Sequence, residues 1–438
     1  MRDVPRIERV YFAKRTRRCF QHLAEVQTSN QFETLGGCRI SVRHGGARAS
    51  RAERIAESRR THPAPGRPPA AEKLASSALR GFVKAQMRVL PLMLATVAVT
   101  ASPSRNFTVA AYLPEWRYEG ANFADISRTV TQLILFSLEV TPIGRLSAYD
   151  RMPRAELMLE ARAATKAAGT QLLACVGGNG RSDGFGPAVA KADRRQRFVD
   201  DLVKLCDKHD LDGVDLNWEY PGYSFGRGWH DDAEVAKDYK GLRSLLKLLH
   251  AAFAPTGRII TIAYYPDGRQ EQLFTQYGVG KYVANMHAMS YDQQGKHSTW
   301  EFAQKVAKQG ARMLPAELVT LGVPFYGRHM RTGDWKSYED LVQAHSLTAE
   351  QDEANEYYFN SRALIERKTR LAVAEGLGGV MIWEVGQDCR VHAITHGDTT
   401  HQVTCPNGEQ SALLTAIRRG LLPATAESLL PQGAKDEM

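Results

Sequence analysis

The sequence predicts an α/β chain folded as a (β/α)8 TIM barrel. Three observations carry that reading: eight short apolar runs, amphipathic stretches of helical periodicity between them, and polar or aromatic residues gathered at the run ends. With 438 residues, 43% of them hydrophobic, the chain is long enough for one large core. The runs are 108–113, 130–138, 171–177, 211–218, 258–265, 282–289, 318–325 and 378–383. Helices are expected at 155–168, 193–209, 232–253, 299–310 and 361–376, where apolar residues recur at helical spacing. The barrel domain is assigned to 105–425, with a tail at 426–438.

The fourth run is the most informative. As a strand, Leu211–Pro221 alternates its faces, so Gly213, Asp215, Asn217 and Glu219 share one side while Val214, Leu216 and Trp218 share the other. An apolar face backs an acid-amide ladder. Neighbouring acids raise one another's pKa, which keeps one protonated for general acid work. The other run ends add Tyr112, Glu115 and Trp116; Cys175 and Gly178; Met289, Tyr291 and Asp292; Arg328; and Trp383. Singly, such aromatics belong more often to a core; grouped round one acid ladder, they describe a sugar pocket. Tyr223, Trp229 and Trp300, just beyond strand ends, serve either as further sugar platforms or as packing under their own loops.

The formal charge of +9 does not indicate nucleic-acid binding. Residues 1–86 hold 18 Lys+Arg against 7 Asp+Glu, a net of +11, which leaves 39 against 41, or −2, for residues 87–438. The basic segment lacks periodicity and reads as disordered. Residues 87–101 combine Met87, one positive charge, a short apolar run and a small-residue end, the pattern of a secretory signal. That run is shorter than the roughly 20 residues of a membrane-spanning helix, so no stable span is expected. The reading that follows is a start at Met87, residues 1–86 as an over-extended gene model, and a secreted protein. A basic targeting arm or a buried strand are the bland alternatives. Cys389 and Cys405 flank a polar loop and are the pair to bridge, whereas Cys175 and Cys206 lie in apolar surroundings. Asn106-Phe107-Thr108 is a glycosylation sequon. His392, His396 and His401 have no accompanying ligand set, so no metal is expected.

Taken together, these residues resemble the glycoside hydrolase family 18 chitinases. The family's Asp-x-x-Asp-x-Asp-x-Glu is matched by Asp212, Asp215, Asn217 and Glu219, its Met-x-Tyr-Asp by Met289, Tyr291 and Asp292, and its Pro-Phe-Tyr-Gly-Arg ends at Arg328. Gly-Val-Met-Ile-Trp, ending at Trp383, is similar too. The segment 330–357 looks too short for the large α+β insertion that some members carry between strands seven and eight, so a shallower groove is expected.

The resemblance implies substrate-assisted hydrolysis of chitin or N-acetylglucosamine oligosaccharides, without cofactor. Glu219 would be the acid and Asp215 and residue 217 its supports. Tyr291 would orient the substrate's acetamido group, and Trp383 would form a floor. Asp292 and Arg328 would bind hydroxyls or neighbouring side chains, with Tyr112, Trp116, Gly178 and Met289 lining the cleft. Asp212 and Cys175 would be structural.

Two residues depart from the family: Asn217 stands for an Asp and Cys175 for a Ser. An amide at 217 cannot ionise, which predicts attenuated activity, with a glycan-binding lectin as the alternative. Asn217 is expected to give its NH2 to Asp215 and its oxygen to the substrate. Glu219, no longer crowded by an acid at 217, is expected to have a lower pKa and an acid-weighted optimum.

Overall fold

The computed structural model describes residues 107–423, apart from 397, 404 and 406–409 and the side chains of 391–403. The basic segment, the signal-like stretch, Asn106 and the tail lie outside the described residues. So do the side chains of His392, His396 and His401.

Eight parallel strands form the barrel. They are β1 (Thr108–Pro114), β2 (Gln132–Val140), β3 (Gln171–Gly177), β4 (Gly213–Asn217), β5 (Ile259–Tyr264), β6 (Asn285–Ala288), β7 (Val319–Pro324) and β8 (Gly379–Trp383). Each pairs with the next, and β1 pairs with β8 as well as β2, which closes the sheet. All eight expected runs are strands, trimmed or extended by a few residues.

Outside run α1 (Phe123–Ser127), α2 (Ala155–Ala168), α3 (Ala192–His209), α4 (Asp232–Phe253), α5 (Arg269–Tyr277), α6 (Trp300–Met313), α7 (Arg362–Ala374) and α8 (Ala412–Leu421). Short polar residues start several of them. Asp231, Thr299 and Ser361 each accept a backbone N–H of the first turn, a contact worth about 1 kcal/mol.

Strand alternation divides the core in two. Val109, Ala111 and Leu113 of β1 face the helices, as do Val214, Leu216 and Trp218 in and just beyond β4. Ala110 and Tyr112 point into the barrel with Phe136, Cys175, Met289, Tyr291 and Met381. Trp218 stacks on Phe185 at 5.2 Å, so Trp218→Ala would cost about 3–5 kcal/mol. The outer layer thereby fixes the strand that carries the acids.

The segment after β7 is more than a connector. Tyr326–His329 pairs antiparallel with Trp335–Ser337 and Tyr357–Tyr358, and the helix Tyr338–Ala344 lies between. It is a small α+β unit, and it sets Tyr326 and Arg328 over the barrel mouth. Cys389 and Cys405 are bonded, while Cys175 and Cys206 are free and buried. Among the described residues no helix is long and apolar enough to cross a membrane.

Candidate active site

The inward ladder of β4 begins at Asp215, which is fully buried. Its neighbours across the sheet are Cys175 of β3 and Thr261 of β5. Thr261 Oγ1 donates to Asp215 Oδ1 at 2.7 Å and Tyr112 Oη donates to Oδ2 at 2.9 Å. The Cys175 thiol bonds to the same carboxylate, and burial followed by Asp215 pushes its pKa well up, so it stays a thiol. His287 Nε2 stands 3.9 Å from Oδ1. Tyr112 is 1% exposed and its hydroxyl is spent on Asp215. It supports the site from below rather than lining the cleft.

Two residues further along, Asn217 is 3% exposed. Its backbone carbonyl accepts from Gly178 N–H at 2.7 Å and Ser182 Oγ at 3.2 Å. The side-chain amide donates to Glu219 and not, as the sequence suggested, to Asp215. Asn217 Oδ1 is buried without a partner, an arrangement that normally costs about 1–3 kcal/mol. An open acceptor therefore sits beside the acid.

Glu219 follows the strand, with its backbone N–H bonded to Ser182 Oγ at 3.1 Å. Burial of its carboxyl pushes the pKa up to about 8; Asp292 adds to this and the Asn217 hydrogen bond partly offsets it. The expected acid-weighted optimum is corrected here, because desolvation, the largest cause, outweighs the lowering by Asn217.

Asp292 sits across the cleft at φ +63°, outside the usual range for a non-glycine residue. Tyr326 Oη and Arg328 Nη1 donate to its Oδ1 at 2.7 and 2.9 Å. Tyr291, 5% exposed, reaches Met381 Sδ at 3.7 Å, and its pKa is raised well above the ordinary tyrosine range by burial, then by Asp292, Glu219 and Asp215. It stands among all three acids.

Trp383, Phe136 and Tyr112 make an aromatic cluster with ring centroids 4.8 and 5.4 Å from Trp383. Met289 packs in this interior layer. Gly178 has φ +107°, and a Cβ there would meet the Phe136 ring at 2.4 Å, so its role is to let that ring close the cleft wall. Trp116 stays 50% exposed at the rim, with the Arg181 guanidinium 5.9 Å from its ring and paired with Glu115 at 2.6 Å.

Asp212 is remote from these groups. It takes two hydrogen bonds from Arg162 and one from Leu172 N–H, tying α2 to the start of β4. Tyr223 and Trp229 form a loop cluster with Tyr220 and Phe225, and Tyr265 joins it. Trp300 lies on α6 under Arg367 and takes no part in the cleft.

Sequence reasoning missed Thr261, His287, Phe136, Tyr265, Arg181 and Gln293, whose amide donates to Tyr265 Oη at 2.6 Å. For Thr261 and His287 a signal existed: each is a polar residue inside a largely apolar run, at the parity that faces the barrel axis.

A barrel with an acid and aromatic cleft at the carboxyl ends of its strands defines a carbohydrate-active architecture. The sequence matches Glycosyl hydrolases family 18 over residues 108–388, and the chain belongs to that family. A probable chitinase of Drosophila melanogaster is 23% identical over 338 residues, covering 60% of this chain and 67% of that protein. A chitinase-like effector of Moniliophthora roreri is 26% identical over 281 residues, covering 59% and 67%. Two solved structures share the fold. The chitinase from the chitin utilization locus of Flavobacterium johnsoniae has a TM-score of 0.58 at 21% identity, covering 72% of this chain and 94% of that one. The Ostrinia furnacalis Group IV chitinase, solved in complex with allosamidin, has a TM-score of 0.56 at 19% identity, with 71% and 98% covered.

Proposed function

We propose that this protein is a secreted chitinase-type glycosidase that cleaves β-1,4-linked N-acetylglucosamine with net retention, at a rate reduced by Asn217. The observation that carries this reading is Glu219 just past the end of β4 with the unpartnered Asn217 Oδ1 two residues before it; burial pushes the Glu219 pKa up to about 8, which suits a general acid. Glu219 protonates the glycosidic oxygen. The carbonyl oxygen of the substrate's acetamido group attacks C1 and forms a cyclic oxazolinium. Asn217 Oδ1 accepts the acetamido N–H, Tyr291 Oη donates to its carbonyl, and Trp383 underlies the ring. Glu219, now ionised, takes a proton from the water that opens the intermediate. No cofactor enters this scheme.

Asn217 also favours a second reading, a glycan-binding lectin. Removing a preorganised stabilising group at a reacting centre costs about 100- to 1,000-fold, and the retained neutral acceptor softens that loss. Product release from a soluble chitin oligosaccharide, with Glu219→Gln as the blank, separates the two readings. Release by the parent alone supports the enzyme; saturable binding by both proteins with no product supports the lectin.

A further inference from the structure

His287 on β6 is fully buried inside the barrel. Its Nδ1 lies 2.8 Å from Thr320 Oγ1 of β7. Its Nε2 has no hydrogen-bond partner and stands 3.9 Å from Asp215 Oδ1. Burial pushes its pKa down to about 4 against the pull of Asp215, so the ring is neutral at neutral pH. Tyr112, Thr261 and Cys175 are the other polar groups round the same carboxylate, and all are donors.

A neutral imidazole carries one proton. If Thr320 donates to Nδ1, that proton is on Nε2 and its dipole faces the Asp215 anion. In the other tautomer a lone pair would face a buried carboxylate, which is electrostatically unfavourable. The 3.9 Å separation exceeds hydrogen-bond length by about 1 Å, so the ring acts on the carboxylate through its dipole and not through a direct bond.

We propose that His287 is a positioning residue whose Nε2–H dipole faces and orients the Asp215 carboxylate, so that Asp215 supplies the counter-charge which Asn217 cannot. An acid at 217 would share a proton with its neighbour. Here Asp215 has only donors round it, and of positions 215 and 217 only 215 can carry a charge. The proposal rests on the glycosidase reading for its consequence, though not for its geometry.

The test uses the full chain with two variants, His287→Phe, which keeps the ring volume, and His287→Gln, whose amide N–H can occupy the Nε2 position. Ring ¹⁵N shifts, assigned by their loss in the variants, report the tautomer without substrate. The expected result is a neutral Nε2–H form. In turnover, His287→Phe should lower kcat about tenfold at unchanged KM, less than the roughly 100-fold for loss of a direct donor. His287→Gln should restore kcat.

An Nδ1–H tautomer, or a His287→Phe kcat equal to the parent's, overturns the proposal. A parent with no turnover overturns the glycosidase reading, and the tautomer then decides the proposal by itself.

Discussion

Asp215 and Asn217 are two residues apart on one face of one strand, yet their surroundings are opposite. Asp215 is saturated, with Tyr112, Thr261 and Cys175 donating to it and His287 close by. Asn217 is left with a buried oxygen that bonds to nothing, beside an acid whose pKa burial raises to about 8. A folded chain satisfies nearly all its buried polar groups, and the unpaired Asn217 Oδ1 is the acceptor that the proposed chemistry assigns to the substrate's acetamido N–H. The lower step of the ladder is built for permanence and the upper step for exchange.

The sharpest break of this contrast is at Glu219. Glu219→Gln should lower turnover by about 100- to 10,000-fold, the range of a general acid's contribution, and leave oligosaccharide affinity within a few-fold. Initial rates and calorimetric binding on the same protein check it. At the lower step, Thr261→Val removes one donor from a buried carboxylate and should cost about 1–3 kcal/mol of stability, seen as a lower denaturant midpoint at unchanged slope.

Charge at the upper step can be changed in both directions. Asn217→Asp removes the hydrogen bond that lowers the Glu219 pKa and adds a like charge, so the alkaline limb of kcat should move up and the rate should rise. Asp292→Asn removes a cause that raises the same pKa, so that limb should move down. In the parent, activity should hold through neutral pH and fall as pH rises through about 8, where Glu219 loses its proton. Rate profiles from pH 4 to 10 distinguish all three.

The fold was largely legible because alternation and spacing are local. Val214, Leu216 and Trp218 announce an outer face whatever surrounds them, and all three pack against the helices. The acid ladder was legible for the same reason. What surrounds each acid was not, because those groups arrive from other strands. Thr261, His287 and Tyr112 meet at Asp215 only through closure of the barrel, and Asp292 reaches the Glu219 carboxyl from a different loop. The height of the Glu219 pKa has that origin: the sequence displays like charges, whereas desolvation depends on how the folded barrel packs round the carboxyl. Tyr112 was read as a platform because an aromatic residue at a strand end carries no sign of its own depth.

The most direct test of the central claim is product release from a soluble N-acetylglucosamine oligosaccharide, followed from pH 5 to 9 for the parent and Glu219→Gln. The account predicts release by the parent, falling above about pH 8, and none by the variant. Equal release by both, or binding without release by the parent at every pH, would contradict it.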